Sequence, residues 1–520
     1  MASQKSSAKY VMAFDQGTTS SRAILFDGDG RLVQVAQREF PQHVRAHEQT
    51  GVDGQTLDCS IVEHDPEDIW KSQLECAREV LAKAGQTFQD VACIGITNQR
   101  ETTILWDRST GQAVAPALVW QSRVSAPICE RLKAKGVEPE IRRRTGLVLD
   151  PYFSATKIVH LMETVPGLRQ RCEDGDVIFG TVDSFLIWRL TGGRVHATDV
   201  TNASRTLLFD IHRMAWSDEL CQLFDIPTNM LPEVRASSGD FGVTDSALFG
   251  GPIHIAGCAG DQLAASYGQG CIDSGQAKNT YGTGAFMIFS TGEQVVESVS
   301  GLLSTPGCGF ADRPPTYCLE GAVFVAGALV GWLRDGLGII EKSSDIESLA
   351  HGAADTGGVM VVPALTGLGT PHWDPFARGL IIGLSRATTK AHVARAALEA
   401  IALSVADVVA CMKKDSGMAL TSLRVDGGAS ANDLLLQFQA DILGITVERP
   451  AVLETTALGA ALLAGLSTGF YADHNAVDEA RRIDQQFEPN INDGERRRLR
   501  ARWNDAVDRS KGWARVDDKA

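Results

Sequence analysis

The sequence contains no C-x-x-C pair and no Cys/His spacing of metal-ligand type, although 11 of its 520 residues are cysteine. A disulfide framework and a structural zinc site are thereby excluded, and the thiols read as buried ones in a reducing compartment. Positive charge is not in excess either: 49 Lys and Arg stand against 64 Asp and Glu, for a net charge of −15. Such a chain has no overall basic field for nucleic acid or anionic lipid, so neither is expected as a partner. No apolar run approaches the length of a membrane span. The opening MASQKSSAKY leads into the strand-like VMAF without the apolar stretch of a signal peptide, so a cytoplasmic protein is expected. Literal repeats, low-complexity tracts and long Pro/Ser-rich linkers are missing as well.

What is present is an ordinary globular composition, 44% hydrophobic and 22% charged. A chain of 520 residues exceeds what one hydrophobic core serves, so two large domains with a cleft between them are expected. Apolar runs at Lys9–Phe14 and Arg22–Phe26 flank a polar turn and read as paired strands. Asp65-Pro66 opens a helix running to Ala84, and Val91–Thr97 is a strand that ends at Asn98-Gln99-Arg100-Glu101. The second half repeats this vocabulary at Ile253–Ala256, Lys278–Gly284 and Leu423–Val425, as if one fold were used twice. The chain is divided at 268/269, into residues 1–268 and 269–520. Glu495–Arg515 reads as an amphipathic surface helix, because acidic residues interleave its basic ones.

Four short segments carry candidate chemistry. Asp15-Gln16-Gly17-Thr18-Thr19-Ser20-Ser21-Arg22 sets an acid, a glycine and four hydroxyls in a turn, which suits phosphate oxygens and water-held Mg²⁺ but also describes a plain hairpin. It lacks the Gly-Lys-Ser/Thr of a Walker A loop. Ala256-Gly257-Cys258-Ala259-Gly260-Asp261-Gln262 reads as a small-residue turn before an acid, which alone would sooner be a helix cap than a base. Gly282-Thr283-Gly284 is a turn with a central hydroxyl. Asp426-Gly427-Gly428-Ala429-Ser430-Ala431-Asn432 precedes the helical Asp433–Leu443 and admits close approach of a ring or phosphate, or is simply a tight connection.

In this order along the chain, the segments resemble the FGGY carbohydrate kinases, from about Tyr10 to the final helix. The runs DQGTTSSRA, GITNQRETT, TGLVLDPYFSATK, TNASRTLLF, AGDQ, KNTYGTG, LEGAVFVAGA and RVDGGASAND, with Gly379–Leu384 leading into His392-Val393, carry the likeness. They are similar to the branch of that family that phosphorylates glycerol. The resemblance implies an α/β fold of two ribonuclease-H-like domains of the actin-like ATPase class, with ATP and glycerol meeting between them. It implies a glycerol site of Arg100, Glu101, Tyr152, Asp261 and Gln262, with Trp120 and Phe286 facing the carbon chain, and Asp261 as general base. It further implies ATP contacts from Thr18, Thr19, Ser20, Arg22, Thr283, Gly327, Gly428 and Asn432, Mg²⁺ held through water by Asp15 and Asp261, and a homo-oligomer, dimer or tetramer. A charged donor beside a charged acceptor satisfies both the proton and the lone pair of a hydroxyl, which suits Arg100-Glu101 to a polyol.

The chain departs from the pattern at several points. Arg45–Ser60 is a lengthened loop, His160 replaces an expected Trp, and Gly331 stands where many relatives carry Gln near the base. Phe249–Pro252 lacks the Arg with which relatives bind an inhibitory sugar bisphosphate, and Asp240-Phe241-Gly242 lacks the His that others have phosphorylated. A kinase acting on erythritol, xylulose or gluconate, and an actin-like nucleotide switch, are the competing readings.

Overall fold

The computed structural model describes residues 8–50, 56–475 and 481–515. Two mixed sheets organise the chain, and each is built on the same plan. In the first, the strands Tyr10–Gln16, Ser20–Phe26 and Leu32–Glu39 form an antiparallel meander. Val91–Asn98 and then His254–Gly260 add in parallel beside Tyr10–Gln16. In the second, Ala277–Tyr281, Ala285–Gly292 and Tyr317–Val323 form the meander, and Ser422–Asp426 and Thr446–Pro450 add in parallel. The edge strands Leu303–Pro306 and Ile483–Phe487 extend it to seven strands. Parallel central strands are covered on both faces, which is why Val91–Asn98 is an almost continuous buried run rather than an alternating one.

Helix boundaries follow local chemistry. Asp65 caps Pro66–Ala84 by accepting from the Glu67 N–H, and Gly85 ends that helix in the left-handed region. Asp433–Leu443 is capped by Asn432, and the last helix runs over Asp493–Ser510. All eleven cysteines are free, and all but Cys308 are buried. Among the described residues no helix is long and apolar enough to cross a membrane.

One expectation needs correction here. The run Ala256–Gly260 is not a turn: it belongs to the strand His254–Gly260, and its residues are small because other chain passes against them. A Cβ on Gly257 would lie 2.6 Å from the Ala464 nitrogen, and one on Gly260 2.6 Å from the Arg100 Cγ and Cδ. The tight link from the strand Ser422–Asp426 to the helix Asp433–Leu443 runs through a short 3₁₀ turn, Gly428–Ala431. Within the Arg45–Ser60 segment, Glu48–Thr50 pairs with Thr56–Asp58, and residues 51–55 lie outside those described.

The helix Thr455–Thr468 comes from the second half yet lies on the first sheet, against Val11, Ala13, Ala256 and Ala259. It also crosses the helix Asp261–Gly268, and a Cβ on Gly459 would fall 1.9 Å from the Ala264 carbonyl oxygen. Gly459→Ala is therefore expected to force the two helices apart, at a cost of about 1–3 kcal/mol. A lower urea midpoint would register this, whereas an unchanged midpoint would show that the crossing yields freely.

Candidate active site

Val91–Asn98 delivers Gln99, Arg100 and Glu101 to the cleft, where Arg100 and Glu101 are 3% and 1% exposed. Glu101 has a φ of 60°, closed by the Thr102 N–H donating to the Arg100 carbonyl at 2.7 Å. A non-glycine residue held there is the kind of local strain that gathers at functional sites. Gly260 lets the Arg100 stem pass, and the guanidinium then meets two carboxylates. Its two Nη atoms donate to Glu320 at 2.8 and 3.0 Å, and its Nε lies 3.2 Å from Asp261 Oδ1. Arg205, fully buried, donates from Nε to Glu101 Oε1 at 2.6 Å and from Nη2 to Glu320 Oε1 at 3.3 Å. The result is a row of alternating charge: Asp261, Arg100, Glu320, Arg205, Glu101.

The row is self-consistent electrostatically. Burial works against charge on Arg100, but Glu320, Glu101 and Asp261 outweigh it and hold the guanidinium firmly protonated. Burial likewise opposes the Glu320 carboxylate, yet Arg100 and Arg205 bring it down to about 2. Glu101, with a single Arg205 bond, is pushed up by burial despite both arginines.

Trp120 and Tyr152 form the apolar wall beside this row, ring edge to ring face at 5.6 Å. The Trp120 indole N–H donates to Thr18 Oγ1 at 3.0 Å, which ties the wall to the first hydroxyl-rich turn. Burial raises the Tyr152 hydroxyl well above its usual range, so it acts as a neutral donor and acceptor. The buried Lys157 ammonium holds the Tyr152 loop by donating to the Pro151, Tyr152 and Phe153 carbonyls at 2.8, 2.5 and 3.4 Å. Phe286 is half-buried on the neighbouring strand of the second sheet. Asp261 is the first residue of its helix rather than the cap, which is Gly260, and its Oδ1 accepts from the Gln262 N–H at 2.7 Å. Gln262 Oε1 in turn accepts from the buried Lys278.

The phosphate-type segments divide between the two halves. Gly17-Thr18-Thr19 turns between the first two strands, and the register sets Asp15 opposite Arg22. Those two side chains form an ion pair, so the proposed metal-side acid and the proposed phosphate-side base are already partners. Ser20 accepts a bond from Gln37 at 3.3 Å, and the Thr19 carbonyl accepts from the Phe40 N–H at 3.2 Å. Thr283, Gly327, Gly428 and Asn432, from three separate segments, line one pocket of 580 Å³ in the second half. The Gly327 and Ala328 N–H groups donate to the Gly282 and Thr283 carbonyls, each at 3.0 Å, and lock the Gly-Thr-Gly turn to the helix Gly327–Asp335. Leu398 and Ile401 give this pocket an apolar wall, and Arg334 and Glu347 give it charge. Gly331 also lines it, with open space where its side chain would begin.

A family model described as the FGGY family of carbohydrate kinases, N-terminal domain, matches residues 10–268, and its C-terminal counterpart matches residues 277–468. The chain belongs to this family. Among FGGY relatives, glycerol kinase 2 of Thermotoga maritima is 53% identical over 97% of this chain and 99% of its own length. Glycerol kinase of Ralstonia nicotianae is 53% identical over 96% and 98%. The solved structure of Plasmodium falciparum glycerol kinase with ADP, 35% identical, superposes with a TM-score of 0.89 over 96% of this chain and 98% of that one. Gluconate kinase from Lactobacillus acidophilus, 22% identical with a TM-score of 0.81, shares the fold.

Three residues of this FGGY chain's cleft went unnoticed in the sequence: Glu320, Arg205 and Lys278. Each has a signal in hindsight. Glu320 is the only charge in the strand Tyr317–Val323, and Lys278 the only one in Ala277–Tyr281. Arg205 closes the polar run Thr201-Asn202-Ala203-Ser204 and is nonetheless 0% exposed.

Proposed function

We propose that this chain transfers the γ-phosphoryl group of ATP to a terminal hydroxyl of glycerol, releasing ADP and sn-glycerol 3-phosphate. The observation that carries the reading is Arg100 Nε at 3.2 Å from Asp261 Oδ1, with Glu101, Tyr152 and Trp120 around it. One charged donor, two charged acceptors and an aromatic wall match a three-carbon triol. Supporting this are relatives named glycerol kinase at 53% identity and nearly full length.

In this reading Asp261 accepts the proton of the terminal hydroxyl as its oxygen bonds to the γ-phosphorus. The bond from that phosphorus to the β,γ-bridging oxygen breaks, and the electron pair leaves with ADP. Arg100 and Glu101 hold the remaining hydroxyls, so the reacting oxygen is positioned before transfer. The pocket lined by Thr283, Gly327, Gly428 and Asn432 takes the adenosine, and Thr18, Thr19, Ser20 and Arg22 face the phosphates. Closure of the two halves excludes water and limits loss of ATP to hydrolysis.

Asp15 and Asp261 would hold Mg²⁺, through water. Their oxygens are the hard donors this ion takes, and Asp15 is pushed up by burial and by the charges of Asp261 and Glu454, an excess a divalent cation relieves. When bound, the ion neutralises phosphate charge. We further propose functional units of residues 1–268 and 269–520, a cytoplasmic location in keeping with eleven free cysteines, and a dimeric or tetrameric assembly measurable by light scattering.

A turnover panel over glycerol, dihydroxyacetone, erythritol, xylulose and gluconate tests the substrate. Glycerol is expected to give the highest kcat/KM, because a longer or oxidised substrate leaves buried polar groups unpaired at about 1–3 kcal/mol each. A pentulose at the top of the panel would overturn glycerol as substrate.

A further inference from the structure

We propose that Glu320 is the positioning residue that holds Arg100 off Asp261, so that the Asp261 carboxylate stays open to the substrate hydroxyl. The inference rests on the roles given above to Asp261 and Arg100. Arg100 already lies within ion-pair reach of the base through Nε, at 3.2 Å. A guanidinium so placed ordinarily turns to engage a carboxylate with two parallel bonds. Here that fork is committed elsewhere: both Nη atoms are taken by Glu320, at 2.8 and 3.0 Å. Glu320 is itself fixed, 4% exposed, on the strand Tyr317–Val323, and steadied by Arg205 Nη2 at 3.3 Å. Asp261 meanwhile keeps 35% of its side chain accessible.

The same contact spans the cleft. Arg100 and Arg205 belong to the first half, and Glu320 to the central meander of the second. The polyol site is thus complete only when the two halves are in register. Other charged groups act on Asp261: Lys278 from the second sheet, and Asp15 from the first, itself paired with Arg22. None of them competes for the Arg100 fork.

The test is Glu320→Gln, assayed for kcat and KM with glycerol, for KM with ATP, and for its unfolding midpoint. Freed from Glu320, Arg100 closes on Asp261, so kcat/KM for glycerol is expected to fall about 100-fold. The loss is expected to fall mainly on kcat rather than on the KM for glycerol, because Arg100 then covers the carboxylate that faces the reacting hydroxyl. The KM for ATP should stay as in the wild type. The double variant Glu320→Gln/Arg205→Gln removes one charge of each sign, so the row keeps its net charge, and it should show the same loss of kcat. A merely structural Glu320 would lower the unfolding midpoint and leave kcat in place, which overturns the proposal. So would a kcat/KM within about threefold of wild type. A wild-type protein that phosphorylates no polyol would instead overturn the function itself.

Discussion

Asp261→Asn is expected to remove turnover while leaving the site built. The asparagine oxygen still accepts from the Gln262 N–H, the hydrogen bond that Oδ1 makes now, and Arg100 stays anchored by Glu320. What is lost is the capacity to take a proton, and a positioned general base is worth about 10²–10⁴-fold in rate. Coupled-assay kcat should fall by that factor, and calorimetry should find glycerol and ATP bound nearly as before. Turnover above about one hundredth of wild type would sink the assignment of Asp261 as base.

Arg205→Met should act on stability more than any other single change in the cleft. The arginine is 0% exposed and serves two carboxylates, Glu101 and Glu320, that are 1% and 4% exposed. Removing one partner of a buried ionic cluster costs about 3–5 kcal/mol, because the remaining charges are left uncompensated. The cost should depend on pH in a definite direction. Glu320 lies near 2 in the folded protein against an ordinary 4.5, so it lends stability above pH 4.5 that is lost as pH falls toward 2. Without Arg205 that depression shrinks, and Glu101, already raised, is raised further. Both carboxylates then take protons more easily in the folded variant than in the folded wild type. The gap between the two urea midpoints should therefore be widest near neutrality and narrow below pH 4.5. A gap that grows on acidification would contradict the charge row.

Local features of the fold were legible in the sequence, and long-range ones were not. The central strands showed as apolar runs that stop at Asp15, Asn98 and Asp426, because strands buried on both faces leave no alternation and their ends open on a polar cleft. The helix beginning at Pro66 showed through its cap, Asp65, whereas the capping of the helix Asp433–Leu443 by Asn432 emerges only in the structure. Arg100 and Glu101 were legible as a charged pair, but their burial was not, since it depends on Glu320, 220 residues away from Arg100. Arg205 and Glu320 meet across 115 residues, and nothing near either one announces the other. The small-residue run Ala256–Gly260 looked like a turn because its reasons for being small, Arg100 and the helix Thr455–Thr468, approach from remote parts of the chain. Composition near the site carried the hydroxyl-rich turn at Gly17-Thr18-Thr19 but not the pairing of Asp15 with Arg22, which is a matter of register.

That same helix bears on how the chain tolerates truncation. The first sheet is complete at residue 260, yet the face carrying Val11, Ala13, Ala256 and Ala259 packs not only near Ala264 and Tyr267 but also against Ala457–Ala464, which follow much later in the chain. Tyr471 then fastens the arrangement by donating to the Asp27 carbonyl at 2.9 Å. Closing this face joins residues from opposite ends of the chain, and a truncation before Thr455 is expected to leave part of it bare, an aggregation-prone surface.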